Sequence, residues 1–297
     1  MKLREMRLIW EVHRTGSVTA AADVLAMTQP AASLLLRLLD ERLGFQIFDR
    51  DRRRLSLSAK GRGLLPDLAA ALAALDGLSR TAQSLRSEAP RRLLIGTVAS
   101  AAGTVLPRAL GRMRAALRDT TVTVRTAMSL EIERMVAEGS VDFGLVVRTG
   151  EEVAADGVRV APLRLHCVAT AGSAPARRRT VPTAMLASRS YVSLSRQFTV
   201  GAMTARLLED SGLRYAPAVE VMHYSSACAF VEQGWGVAVL DTLGALHARR
   251  LGLSAPPITD SPALGLDLLC SPNSSAMVHA AALSRHLSAA FEAALRA

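Results

Sequence analysis

The apolar residues of this chain change their period near residue 90, and that break restricts the available folds more than any other feature. Before it they recur at the three-to-four-residue spacing of helices. From Leu93 onward apolar strands alternate with helices, beginning with Leu93 to Thr97, a helix after Pro107, the alternating Val122, Val124, Thr126 and Met128, and Val141 to Val147. This is the pattern of parallel α/β units. One part is therefore expected to pack helices and the other to pack helices on sheets. A chain of 297 residues, half of them hydrophobic, has enough apolar surface for two cores. The polar stretch Arg86 to Arg92, with Pro90 inside it, reads as the hinge.

In the helical part, Leu3, Met6, Ile9 and Trp10 share one face, Gly16 stops that run, and Ser17 caps a second helix from Val18 to Leu25. Ala20, Ala21 and Ala22 carry so little bulk that another helix can cross closely. Thr28 caps a third helix, Pro30 fits its first turn, and Gly44 ends it after Leu34, Leu35, Leu38, Leu39 and Leu43. Two helices joined by so short a turn make a helix-turn-helix. Phe45 to Leu57 reads as two short strands around a basic turn, a wing, and Ser58 caps a helix running to about Leu85, with Pro66 as a kink. Along that helix Leu68, Ala71, Leu75, Leu78, Ala82 and Leu85 alternate three and four apart, as a two-helix seam requires. A partner helix is one occupant of that seam; the chain's own domain is the other.

Charge supports a polyanionic partner for this head. The whole chain carries 36 basic and 26 acidic residues, but only Lys2 and Lys60 are lysines, so the excess of arginine also fits a compositional bias of the coding sequence. Position separates the two readings: residues 1 to 62 hold twelve basic and seven acidic residues, a surplus equal to that of the remaining 235. In a helix-turn-helix the start of the third helix enters the major groove, so Thr28, Gln29, Pro30, Ala31 and Ser33 are the expected DNA contacts. The Gln29 amide suits adenine, the Pro30 ring and Ala31 methyl suit a thymine methyl, and Thr28, Ser33, Arg37 and the cap residue Ser17 suit phosphates. On an arbitrary helix Thr28 would be only a cap and Gln29 only a solvated side chain. Arg50, Arg52, Arg53 and Arg54 of the wing suit a minor-groove or phosphate contact.

The second part starts a further set of strands after Pro162, near Leu165 to Ala169, Tyr191 to Leu194, Val219 to Val221 and Val237 to Leu240. Two lobes of about a hundred residues each would bracket a cleft suited to a small ligand. Ser100 and Ser129 stand where strand ends run into helices, where free N–H groups and a positive dipole end favour a carboxylate; simple capping explains the same residues. Arg148, Ser195, Arg196, Thr199, His223 and Ser225 complete the candidate effector-binding set.

Catalysis finds little support, since the chain has no G-x-S-x-G elbow, P-loop, HExxH or G-x-G-x-x-G motif, and its six histidines lie far apart. Cys167, Cys228 and Cys270 have neither zinc nor disulfide spacing, so no metal and no cofactor is expected. No stretch of eighteen uncharged apolar residues occurs, so a cytoplasmic location without membrane contact is expected. The competing reading is a cytosolic α/β enzyme or small-molecule-binding protein with an accessory DNA-binding head.

Three blocks of the head, Gly16-Ser17-Val18-Thr19-Ala20-Ala21-Ala22, Thr28-Gln29-Pro30-Ala31-Ala32-Ser33 and Leu43-Gly44-Phe45-Gln46-Ile47-Phe48-Asp49-Arg50, resemble in content and spacing the LysR-type transcriptional regulators. The likeness continues more weakly through Val231-Glu232-Gln233-Gly234-Trp235-Gly236-Val237. It implies an α/β chain with an N-terminal winged helix-turn-helix (1–60), a linker helix that dimerises (61–88), and a two-lobed effector domain like a type 2 periplasmic binding protein (89–297). The first lobe would take about 91–162 and 268–297, the second about 163–267. The resemblance implies a homodimer or homotetramer on double-stranded promoter DNA, responding to a small-molecule effector, with RNA polymerase as a further partner. Tyr191-Val192-Ser193-Leu194-Ser195-Arg196, Thr199, Val219-Glu220 and Ser225-Ser226 are similar to the branch regulating amino-acid and opine metabolism, which implies a small carboxylate such as an amino acid or derivative. The resemblance also puts hydroxyls at Ser100 and Ser129 in the effector pocket. Leu34 stands where the family commonly has arginine and Leu39-Asp40 where it has leucine-glutamate, so one DNA contact is lost; Ser58 keeps the hydroxyl of the usual threonine.

Overall fold

The structure, a computed structural model, describes residues 1–51, 54–86, 91–153, 157–187, 190–271 and 274–296. They form two compact units, the first made of Met1–Arg86 with the short segment Glu138–Ser140, the second of the rest.

In the first unit, α1 (Leu3–Thr15), α2 (Val18–Val24) and α3 (Gln29–Leu43) follow the cap signals of the sequence. Ser17 Oγ accepts from the Ala20 N–H at 3.3 Å, and Thr28 Oγ1 from the Ala31 N–H at 3.4 Å. Gly44 closes α3 at φ 72°, a left-handed conformation that costs glycine little. The axes of α2 and α3 meet at 109°, within the range of helix-turn-helix pairs. Ala21 and Ala22 are fully enclosed, and Leu8, Ile9, Val12, Leu36, Leu39 and Ile47 fill the core around them.

The buried Glu5 ties the ends of this bundle together, accepting from the Lys2 N–H at 2.7 Å and from Arg42 at 2.6 Å. The Arg42 guanidinium, with the Lys2 N–H, holds the Glu5 carboxyl below its ordinary range. The wing is an antiparallel pair, β1 (Phe48–Asp51) and β2 (Arg54–Leu57). Ser58 Oγ then accepts from the Gly61 N–H at 3.0 Å and opens α4 (Ala59–Arg86), with Pro66 inside it. Leu68 of the α4 seam is buried in the head's own core, and Leu65 and Leu72 pack against it, so the first half of the seam serves its own unit. Leu78, further along, is 66% exposed.

The second unit begins with β3 (Arg91–Thr97), α5 (Ala99–Ala102), α6 (Leu106–Arg112), β4 (Thr120–Thr126), α7 (Ser129–Ala137) and β5 (Phe143–Thr149). The strand therefore starts inside the stretch read as a hinge. There follow β6 (Gly157–Leu163), β7 (Leu165–Val168), α8 (Ala184–Ala187), β8 (Tyr191–Leu194), α9 (Thr199–Asp210) and β9 (Val219–Val221). The chain ends with α10 (Tyr224–Glu232), β10 (Val237–Asp241), α11 (Thr242–Arg250), β11 (Leu264–Cys270), a short 3-10 turn and α12 (Ala280–Arg296). One sheet has the order β4-β3-β5-β11-β6 and the other β7-β10-β8-β9, giving two lobes.

These sheets correct the expectation of purely parallel units. β3 is parallel to β4 and β5, but β11 runs antiparallel to both β5 and β6, and β7 antiparallel to β10. The chain crosses between lobes after Leu163 and returns before Leu264, so the strands flanking those crossings enter against the others. All of β11 belongs to the first lobe, which moves its return from residue 268 to 264. At the β6–β11 register shift, the fully buried Asp267 pairs with Arg159.

Candidate functional site

On the head, Ala32, Leu36 and Leu39 of α3 turn inward, leaving Gln29, Pro30, Ala31 and Arg37 exposed and Ser33 partly so. Gln29, Ser33 and Arg37 are spaced by four and share one face. The Gln29 Nε2 donates to Ser33 Oγ at 2.9 Å, so the amide is already oriented, and Arg37 lies 3.9 Å from Glu41 in solvent. Ser17 and Thr28 use their side-chain oxygens as caps. Leu34 and Leu38 are 46% and 50% exposed, which their leucine pattern alone did not suggest. Arg50 and Arg54 lie in the two wing strands; their side chains, and Arg52 and Arg53 altogether, lie outside the described residues.

In the second unit both lobes contribute to one cavity of about 240 Å³. Strand ends of the first lobe enter it where they run into α5 and α7, and the second lobe presents the starts of α9, α10 and α11. Of the eight effector candidates, Ser100, Ser129, Thr199 and His223 line it. So do Glu131, Asp241 and Tyr224, together with Phe198, Met128 and Met222, which sequence reasoning missed. The N-cap residues of α9 and α10, Phe198 and His223, supply no capping side chain. Their first-turn N–H groups therefore meet the cavity without the cap that α2, α3 and α11 possess.

The hydroxyls at this site are largely committed. Ser129 Oγ donates to the Val147 carbonyl at 3.0 Å and accepts from the Val147 N–H at 3.2 Å, which pins α7 to β5. Ser100 Oγ donates to Asp241 Oδ2 at 3.5 Å, while Asp241 Oδ1 accepts from the Gly244 N–H at 2.7 Å and caps α11. Burial pushes the Asp241 carboxyl upward, against those hydrogen bonds. Among the described residues three hydrogen bonds join the lobes: Ser100 to Asp241, Thr199 to the Val147 carbonyl at 3.3 Å, and Arg250 to the Gly103 carbonyl at 3.4 Å.

The other four effector candidates stand elsewhere. Arg196 turns away to Glu209 at 3.0 Å and lies over the Tyr215 ring at 5.2 Å, because those partners hold the guanidinium at the surface. Arg148 approaches Glu133 of α7 at 3.8 Å. Ser195 is buried below the start of α9, its backbone N–H bonded to the Val221 carbonyl, and Ser225 sits on an exposed face of α10. None of the four lines the cavity. Among the described residues no single helix is long and apolar enough to cross a membrane.

Comparison with known proteins gives matches over both units. Residues 3–62 match the model of the bacterial regulatory helix-turn-helix protein, lysR family, and residues 86–292 match the LysR substrate binding domain. The transcriptional activator protein LysR of Escherichia coli K12 is 25% identical over 253 residues, covering 85% of this chain and 81% of that one. The regulatory protein NocR of Agrobacterium tumefaciens T37 is 23% identical over 238 residues, covering 80% and 79%. Among solved structures, full-length CbnR complexed with its target DNA has a TM-score of 0.65 at 16% identity, over 98% of this chain and 100% of that one. Full-length OxyR from Pseudomonas aeruginosa also gives 0.65 at 16%, over 97% and 94%. At such identities these last two are likenesses of fold.

Proposed function

Because the chain belongs to the LysR family of transcriptional regulators, we propose that its head reads promoter DNA through Gln29, Pro30, Ala31, Ser33 and Arg37, and that its cleft takes a small carboxylate such as an amino acid or derivative. DNA binding and response to an effector follow from the family; the contacts and the ligand class are our reading. The protein is a regulator and not an enzyme. Residues 1–60 serve as the DNA-binding head, 61–88 as the linker helix and 89–297 as the effector domain. The assembly is a homodimer or homotetramer, with the exposed Leu78 end of α4 available to a second copy.

The uncapped starts of α9 and α10 in the cavity carry the ligand reading, since helix N–H groups without a cap and the positive end of the helix dipole favour an anion. Ser100, Ser129, Thr199 and His223 stand around it. The test has two parts. The purified chain should retard its own upstream DNA in a gel, and a thermal-shift screen of amino acids and small carboxylates should find a ligand. At a hundred times its dissociation constant such a ligand stabilises the fold by about 2.7 kcal/mol. A chain that retards no DNA, or that shifts with no carboxylate, contradicts the corresponding half.

A further inference from the structure

We propose that the effector carries a positively charged amine beside its carboxylate, and that Glu131 is the residue that selects for the amine. This rests on the carboxylate reading above and narrows it to zwitterionic amino acids with an apolar side chain.

The charges lining the cavity are the starting point. Two of its side chains are acidic, Glu131 and Asp241; among the described residues no arginine or lysine lines it, and His223 alone is able to carry a positive charge. A ligand that brought only a carboxylate would set a second carboxylate in the cavity that Glu131 lines, with no cationic side chain of fixed charge to offset it. The open N–H groups of α9 and α10 answer the carboxylate from the second lobe, but they leave the acid on the first lobe unbalanced.

The two acids are not equivalent. Asp241 is buried and already accepts from the Gly244 N–H and from Ser100, so its oxygens hold the protein together. Glu131 stands exposed in the first turn of α7, where the helix dipole favours its charge, and among the described residues its carboxylate makes no side-chain hydrogen bond or ion pair. Arg148, one of the effector candidates from the sequence, faces Glu133 instead. An ammonium group would supply the missing partner through charge-assisted hydrogen bonds. The zwitterion is neutral overall, which lowers the cost of entering a cleft walled by Met128, Leu194, Phe198, Met222 and Leu240. Those walls are suited to an apolar side chain.

Titration calorimetry on the full chain tests this with matched probes: L-leucine, L-methionine and L-phenylalanine, the 2-hydroxy acid corresponding to each, and the amine left when each loses its carboxylate. At least one amino acid should bind, and its 2-hydroxy acid at least tenfold more weakly. Glu131→Gln should shrink that gap to threefold or less, with only the small loss of melting temperature that a lost first-turn charge brings, and Glu131→Asp should preserve the gap. A 2-hydroxy acid that binds as tightly as its amino acid overturns the amine selection and leaves the carboxylate reading standing. An amine that binds without its carboxylate, and loses affinity in Glu131→Gln, upholds the role of Glu131 and overturns the carboxylate. A gap that survives Glu131→Gln removes Glu131 from the site, and no binding by any probe overturns the proposal.

Discussion

Gln29 and Ser33 lie one helical turn apart at the exposed start of α3, and the hydrogen bond between them fixes which edge of the amide faces outward. An amide held in this way loses less freedom on meeting a base. Gln29→Ala should therefore cost roughly 1–3 kcal/mol on the specific site and little on random DNA. Gel retardation against both DNAs measures this, and equal losses would show that Gln29 reads no base. Ser129 presents the opposite case. Its hydroxyl satisfies the N–H and carbonyl of Val147, so Ser129→Val should lower stability by about 1–3 kcal/mol even without ligand, because a buried N–H loses its partner. An unchanged melting temperature would mean that the hydroxyl is spare for ligand.

At the scale of elements, α4 changes role along its length. Leu68 and Leu72 belong to the head's core, Leu75 is half-buried, and Leu78 is exposed, so the part of the seam open to a second copy begins near Leu75. Replacing Leu75 and Leu78 with Asp should give monomers by sedimentation while the head keeps its fold, since neither side chain is part of its buried core. Persistence of the oligomer would assign the assembly to the effector lobes. Elements of this kind were legible in the sequence because their signals are local: Ser17, Thr28, Ser58 and Gly44 mark helix ends wherever the rest of the chain goes. What the sequence did not disclose depends on distant partners. The antiparallel entry of β11 follows from two crossings between lobes, roughly a hundred residues apart. Arg196, a ligand contact by sequence, is held away by Glu209 and Tyr215, and no local signal marks Glu131, because the cavity it lines is built from residues distant in sequence.

For the whole molecule, the two units should respond differently to acid. In the effector unit His166 is buried, with its ring nitrogens near the Ala255 carbonyl at 2.9 Å and Thr242 Oγ1 at 3.3 Å. Burial pushes its pKa from 6.5 down to about 4, outweighing the hydrogen bond to Ala255, with Arg249 and Arg164 adding to the shift. The folded unit therefore keeps a neutral ring while the unfolded chain takes up a proton below 6.5. Stability is fully present above 6.5 and falls as pH drops toward 4, by up to about 3 kcal/mol. In the head, Glu5 has the opposite ionisation but the same sign: its carboxylate is favoured in the folded state, so its contribution is lost only as pH falls below the ordinary value of 4.5. Between about pH 6.5 and 5 the His166 contribution to the effector unit should be lost, against the opposite pull of Asp241, whose raised carboxyl gains from acid, while the Glu5 contribution to the head holds. Scanning calorimetry from about pH 7.5 to 5 should show the effector transition moving down and the head transition holding its place, and His166→Gln should flatten that dependence. A regulator taken to pH 5 would then still retard DNA while its ligand binding fades, because an effector shifts the protein only through the unit that binds it. Should the head transition fall first, Glu5 and not His166 governs the acid response.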